Sequence, residues 1–91
     1  MNYKIIRTDE YFKRLKKFIK KHPALLDRYS KTMELLEVDP FHPSLMLHKL
    51  KGKLQIYHSV SINMQYRIVI DFILTENEII PIDIGTHEEV Y

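Results

Sequence analysis

The 91-residue sequence has no cysteine, only two glycines and no long apolar run. Without cysteine, neither a disulfide nor a thiolate zinc site is available, and this composition suits a reducing cytoplasm. The apolar runs are too short for a membrane span, and the N-terminal segment "MNYKIIRTDE" lacks the apolar core of a signal peptide. We therefore expect a soluble, cytoplasmic protein with no membrane partner.

Two further absences exclude classes of chemistry. Gly52 and Gly85 are too few for a phosphate-binding glycine-rich loop, and the sequence has no G-x-S-x-G motif. Nucleotide hydrolysis and serine catalysis therefore have no support. No two of the five histidines have the spacing of helical metal ligands, so we predict neither a metal site nor a cofactor.

The charges that are present are unevenly distributed. Residues 1–53 hold 13 of the 14 Lys and Arg against six acids, whereas residues 54–91 hold Arg67 alone against six acids. A basic N-terminal half can attract a polyanion such as RNA. It can equally consist of solvated helical faces.

The length allows one domain, residues 1–91, with a modest core. A short β-branched run over residues 2–7 predicts a first strand, and Thr8 then caps an amphipathic helix. Its apolar stripe is Phe12, Leu15, Phe18 and Ile19. A second helix begins near Pro23 and buries Leu26, Tyr29, Met33 and Leu36.

The second half changes to strand-like patterns, at residues 54–61, 65–74 and 78–85. Pro81 predicts an edge or bulge position in the last strand. The expected fold is α+β in the order β-α-α-β-β-β, with a helical hairpin packed on a small, mainly antiparallel, twisted sheet.

Alternation along the 65–74 strand assigns its residues to two faces. Tyr66, Ile68, Ile70 and Phe72 form one core row. Arg67 then points away from the helices, where it either pairs with Asp71 or Asp83 or lines an open groove. The same alternation places His58 with Ile56 and Val60, in a partly buried or edge role.

Several scattered polar residues fit metal-free phosphodiester chemistry. Cleavage of RNA needs a base for the ribose 2′-OH, an acid for the leaving 5′-oxygen and a cation for the phosphate. An aromatic ring can stack on a base. The candidates are His48, Lys49, Lys51, Lys53, Arg67, His87 and Tyr91. Each also has a plain structural explanation, as a basic surface loop, a turn histidine or a core aromatic.

A family resemblance supports the chemical interpretation. "LHKLKGKLQIYHSVSINMQYRIVI" followed by "IIPIDIGTHEEVY" resembles the RelE/ParE toxin superfamily of type II toxin–antitoxin modules, and most closely its YafQ-like and RelE-like members. Three motifs carry it: a histidine before an "L-K-G" turn, the "Q-Y-R-I-V" strand and the "G-T-H-x-x-x-Y" ending.

The resemblance implies a ribosome-dependent mRNA endonuclease that cuts the A-site codon by 2′-OH attack and is held inactive by an antitoxin. By position it implies His48, Arg67, His87 and Tyr91 as catalytic residues. It implies RNA contacts through Lys49, Lys51, Lys53 and Tyr66. The partners it implies are a cognate antitoxin, the 70S ribosome with mRNA, rRNA through the basic helices, and DNA only through the antitoxin complex.

The sequence also departs from the YafQ-like pattern. Ser61 and Gln65 stand where those toxins carry a further histidine and an aspartate, and neither side chain is an acid or base at neutral pH. Slow cleavage is one consequence. A noncatalytic member that binds only RNA or its antitoxin, and a ParE-like inhibitor of DNA gyrase, are the alternatives.

Overall fold

The computed structural model of the chain describes residues 2–73 and 76–90, except for the side chains at positions 54, 73 and 87. It consists of β1 (Lys4–Ile5), α1 (Asp9–Lys21), α2 (Leu26–Val38), β2 (His48–Lys49), β3 (His58–Ser61), β4 (Tyr66–Ile73), β5 (Glu78–Thr86) and α3 (His87–Val90). Three short 3₁₀ turns cover Pro23–Leu25, Pro43–Leu45 and Gly52–Leu54. The predicted α+β class and helical hairpin are confirmed, with β2 and α3 as two short additions.

The five strands form one sheet in the order β1-β5-β4-β3-β2. Only β1 and β5 pair in parallel; the other three pairings are antiparallel. The link between β3 and β4 is closed by Asn63, whose side-chain oxygen accepts hydrogen bonds from the backbone N–H groups of Gln65 and Tyr66, both at 2.9 Å. β3 begins at His58, four residues later than predicted, because a 3₁₀ turn precedes it.

Helix α1 begins as predicted, with the Thr8 hydroxyl accepting a hydrogen bond from the Tyr11 N–H at 3.1 Å. The predicted apolar stripe is wrong at its first position: the Phe12 side chain is 54% exposed, and Tyr11 is buried in its place. The Tyr11 hydroxyl reaches the Tyr29 hydroxyl of α2 at 2.8 Å, which gives the buried ring a polar partner.

Helix α2 follows a 3₁₀ turn that contains Pro23. Tyr29, Met33 and Leu36 are buried as predicted, whereas Leu26 is 50% exposed. Leu26 is the first residue of the helix, one turn before its first buried residue, so the buried stripe begins later than the pattern predicted.

The main core lies between the two helices and one face of the sheet, called here the helix face. The predicted core row is confirmed, since Ile68 and Ile70 are fully buried and Tyr66 and Phe72 pack partly buried against the same cluster. Burying each isoleucine side chain contributes about 1.5–3 kcal/mol.

Strand β5 carries a bulge next to Pro81, where the sequence predicted an edge or a bulge. Val69 lies opposite Asp83 and Ile70 opposite Pro81, so Ile82 is the additional residue. Of the two predicted alternatives, an edge or a bulge, the structure shows the bulge, and β5 lies between β1 and β4. The pairing with β1 covers only Glu78 and Ile79, so Pro81 interrupts no β1 pairing.

None of the described helices has the length and apolar character needed to cross a membrane.

Candidate active site on the back of the sheet

The face of the sheet opposite α1 and α2, called here the back face, carries a second and smaller core. Val69 of β4 packs there with Leu50 and Val90, and Tyr57 and Ile82 lie against them partly buried. Strand alternation places Arg67 on the same face as Val69. The predicted direction of the Arg67 side chain is therefore consistent with the packing.

Arg67 is anchored through two of its three nitrogens. Its Nε donates to the Ser59 hydroxyl at 3.0 Å, and its Nη2 donates to the Met46 carbonyl oxygen at 3.1 Å. Within the described part of the chain, Arg67 forms no ion pair with Asp71 or Asp83, and Asp83 instead lies 3.6 Å from Arg14. Hydrogen bonds to Ser59 and Met46 take the place of the predicted ion pair, and the open groove stays a prediction.

His48 lies beside this guanidinium. Its Nδ1 is 3.1 Å from Arg67 Nη2 and also 3.1 Å from the Met46 carbonyl oxygen. Because the guanidinium can only donate and the carbonyl can only accept, Nδ1 has a partner in either protonation state. A bare Nδ1 accepts from Arg67, and a protonated Nδ1 donates to Met46. The ring orientation is therefore held in either tautomer of the neutral imidazole.

Met46 presents its carbonyl from an unusual backbone conformation. Its φ is 49°, in the left-handed region that is costly for a residue with a side chain, by about 1–2 kcal/mol. The residue ends the 3₁₀ turn Pro43–Leu45, in which His42 Nδ1 accepts from the Ser44 N–H at 3.2 Å. This strained turn points the carbonyl at Arg67 and His48.

The predicted RNA-binding lysines surround β2. Lys49 is the neighbour of His48 in that strand, and Lys51 and Lys53 flank Gly52, whose φ of 69° makes the turn. All three side chains are exposed. Lys49 lies opposite His58 in the β2–β3 register, so strand alternation points it away from the back face. Contact of the three lysines with RNA stays a prediction.

Tyr66 is not brought to the back face. Its ring packs on the helix face, 5.2 Å from the Phe18 ring and 4.8 Å from the His22 ring between centroids. The structure therefore separates Tyr66 from Arg67, although they are adjacent in sequence.

His58 also lies on the helix face, where the centroids of its ring and the Phe72 ring are 5.7 Å apart. Its Nδ1 is buried and has no hydrogen-bond partner among the described residues. Burial, followed by the nearby Lys49 and His48, lowers the pKa of His58. The expected partly buried role fits, and a neutral imidazole on this face cannot replace a base on the other.

The C-terminal segment is organised by a capping box, a motif that sequence reasoning missed. The Thr86 hydroxyl accepts from the Glu89 N–H at 3.1 Å, and the Glu89 carboxylate accepts from the Thr86 N–H at 2.8 Å. "T-H-E-E" is the S/T-x-x-E pattern that begins a helix. These hydrogen bonds lower the pKa of Glu89.

The capping box sets the backbone position of His87 as the first residue of α3. Gly85 lies opposite Arg67 in the β4–β5 pairing, so the His87 backbone is two residues from that point. A side chain at Gly85 would press on Glu89 and Val90 at 3.1–3.3 Å, which explains the glycine. The His87 side chain and Tyr91 lie outside the described residues.

Ser59 and the Met46 carbonyl are the two site components that sequence reasoning did not identify. A backbone carbonyl leaves no mark in a sequence. The burial of Ser59, which means that its hydroxyl needs a polar partner, is visible only in the fold.

Comparison with known proteins identifies the fold. Neither a protein-family model nor a curated protein matches the sequence. Solved structures do match. YafQ from E. coli strain BL21(DE3) is 16% identical with a TM-score of 0.77 over 98% of both chains. A chain of the E. coli DinJ–YafQ toxin–antitoxin complex is 18% identical with a TM-score of 0.76, over 100% of this chain and 99% of that chain.

A third structure, the YoeB/ParE toxin from Agrobacterium tumefaciens, is 17% identical with a TM-score of 0.73, over 92% of this chain and 98% of that chain. At such identities the likeness concerns the fold, and it agrees with the resemblance seen in the sequence. The chain has the fold of the RelE/ParE toxin superfamily.

Proposed function

We propose that this chain is the toxin of a type II toxin–antitoxin module, a ribosome-dependent, metal-independent mRNA endonuclease. The observation that carries the proposal is the contact between the Arg67 guanidinium and the His48 imidazole, 3.1 Å apart on the back face. A fixed cation beside a side chain that can act as a general base or acid is what phosphodiester cleavage requires.

The proposed reaction is an attack by the ribose 2′-oxygen on the adjacent phosphorus. One histidine takes the 2′-OH proton, and a second gives a proton to the departing 5′-oxygen. The products are a 2′,3′-cyclic phosphate and a 5′-hydroxyl end. His48 and His87 are the two histidines, and Arg67 stabilises the additional negative charge on the phosphate.

The proposed approach of RNA rests on exposed lysines that follow His48 along the chain. Exposed Lys49, Lys51 and Lys53 lie on or next to β2, which carries His48. Tyr91 is proposed to stack on the nucleotide that is cut, and the basic face of α1 to approach the rRNA backbone in the A site.

The proposed partner that silences the toxin is a cognate antitoxin. One solved neighbour is a DinJ–YafQ toxin–antitoxin complex. Helix α1 offers an antitoxin an exposed Phe12 among lysines, with Lys16 Nζ 5.4 Å from the Phe12 ring. We place the complex in the cytoplasm, with DNA contacted only through the antitoxin.

A second candidate function is noncatalytic binding of RNA or antitoxin. The observation that favours it is Ser61, at the position of a YafQ-like histidine, whose hydroxyl donates to the Asn63 carbonyl at 2.6 Å. Gln65 is exposed and likewise brings no acid or base. Under this alternative, the same fold binds its partners but leaves mRNA intact.

The test is to add the purified protein to ribosomes programmed with a defined mRNA and to map cut ends by primer extension. Wild-type protein should cut within the A-site codon, and folded Arg67→Ala and His87→Ala should not. Arg7→Ala is the matched control, since it removes an exposed arginine that lies before α1 and outside the back-face site. Absence of cuts from folded wild-type protein over several codons would favour the noncatalytic function.

A further inference from the structure

A serine buried beneath the site has a function that the proposed chemistry does not assign. Ser59 lies in β3, in register with His48 on one side and Val69 on the other. Its exposed fraction is 0%, yet its hydroxyl accepts a hydrogen bond from Arg67 Nε at 3.0 Å. We infer that Ser59 is a positioning residue that holds the Arg67 guanidinium in its working orientation.

The geometry of the guanidinium explains why this bond matters. Arg67 Nη2 is fixed by the Met46 carbonyl, and Nε is fixed by Ser59. Two acceptors on different nitrogens define both the plane and the rotation of a planar fork, whereas one acceptor leaves it free to pivot. Nη1 has no acceptor among the described residues and remains available for a phosphate oxygen.

The Ser59 hydroxyl is buried in the interior of β3. A fully buried polar group costs free energy unless it is hydrogen-bonded. The next residue, Val60, shows that β3 accepts a β-branched apolar residue in its interior. The contact with Arg67 accounts for a serine in this place.

Ser61 supplies a matched control on the same strand. It lies directly opposite Arg67 in the β3–β4 register and is also buried. Its hydroxyl, however, donates to the Asn63 carbonyl rather than accepting from Arg67. Ser59→Ala and Ser61→Ala therefore remove the same group from one strand, and only the first removes an anchor of Arg67.

The first experiment measures the order of Arg67 without reference to any activity. NMR of the Arg67 Nε–H should show slow hydrogen exchange in the wild type and in Ser61→Ala. In Ser59→Ala that exchange should be at least about tenfold faster, because the acceptor is gone. Equal exchange rates in Ser59→Ala and wild type would overturn the positioning role.

The second experiment rests on the proposed function and measures mRNA cleavage on programmed ribosomes. Ser59→Ala should lower kcat by about 10- to 100-fold with little change in KM, since misplacement of a catalytic group by about 1 Å has that effect. In an Arg67→Ala background, Ser59→Ala should cause no further loss. If the fold-losses in kcat of the two single variants multiply in the Ser59→Ala/Arg67→Ala double variant, the inference is overturned.

The two experiments separate two failures. If folded wild-type protein leaves mRNA uncut, the proposed function fails, and the exchange measurement still decides on Ser59. Thermal unfolding of both serine variants accompanies each assay. A lowered kcat in Ser59→Ala, with a melting temperature equal to that of Ser61→Ala, supports the role of Ser59 as a positioning residue. A loss of kcat that is equal in the two variants contradicts it.

Discussion

The two faces of the sheet are built on different principles. The helix face is covered by α1 and α2 and is almost wholly apolar, with Ile68 and Ile70 fully buried. The back face has a small core of Leu50, Val69 and Val90, and beside it a polar group around Arg67. One strand, β4, serves both faces through simple alternation. The helix face provides stability, and the back face is free to hold charged groups in fixed positions.

The largest effect is expected from a substitution that opens a cavity in the core of the helix face. Ile70→Ala should lower the free energy of unfolding by about 2–5 kcal/mol, because a buried side chain is removed from a packed core. Cleavage per folded molecule should not change. Urea denaturation measures the effect, with Ile56→Ala as control, since Ile56 is 68% exposed. Equal decreases in the free energy of unfolding for Ile70→Ala and Ile56→Ala would contradict the assignment of the core.

The converse variant is Arg67→Ala on the back face. It should reduce cleavage by about 10²–10³-fold, as expected for removal of one group that stabilises transition-state charge. The free energy of unfolding should fall by no more than about 1–3 kcal/mol, the cost of removing the donor to the buried Ser59 hydroxyl, because both apolar cores are untouched. Single-turnover cleavage and urea denaturation measure the two effects. A destabilised variant with normal cleavage would make Arg67 a structural residue.

A buried polar pair on the helix face gives a pH-dependent effect. Burial raises the pKa of Tyr11 and of Tyr29 above the usual value of 10.0. The neutral hydroxyls therefore stabilise the fold fully below pH 10, and this contribution is lost as pH rises above 10. Tyr11→Phe should cost about 1–2 kcal/mol at pH 7 and should weaken the alkaline loss. Urea midpoints at pH 7 and 10.5 for both proteins measure it. An equal loss of stability between pH 7 and pH 10.5 in the wild type and in Tyr11→Phe would contradict this account.

The smallest predicted effect concerns the capping box. Hydrogen bonds from Thr86 lower the pKa of Glu89 below the usual 4.5. The cap is therefore present above the ordinary glutamate range and is lost only as the pH falls through the lower folded-state pKa. The Thr86 amide resonance should titrate with that midpoint in an NMR pH series. In Glu89→Gln the titration should disappear, and a midpoint at or above 4.5 in the wild type would disprove the cap.

The elements of the helix face were predictable from the sequence because their signals are local. Alternation assigned Ile68 and Ile70 to one side of β4, and the Thr8 cap fixed the start of α1. Phe12 was misassigned because periodicity gives a stripe but not the angle at which a helix meets the sheet, and Leu26 because it is the first residue of α2, one turn before the buried stripe. Tyr11 was missed because its hydroxyl needs Tyr29, 18 residues away.

The back face was harder to predict because long-range contacts create it. The two-residue strand β2 exists through its pairing with β3, and no local pattern marks it. The contact between Arg67 and His48 joins residues 19 positions apart, and the Met46 carbonyl joins them through a strained backbone. The candidates His48 and Arg67 came from residue chemistry and family resemblance. The Met46 carbonyl, which contacts both, and Ser59, which contacts Arg67, required the fold.

The central claim is that His48 and Arg67 act as one site on the back face. The most direct test is a double-mutant cycle of single-turnover mRNA cleavage on programmed ribosomes, with His48→Ala, Arg67→Ala and the double variant, all shown to be folded. We predict that each single variant is strongly impaired and that the double variant is little slower than the slower single one. Losses that multiply, or normal cleavage by either folded single variant, would contradict a shared site.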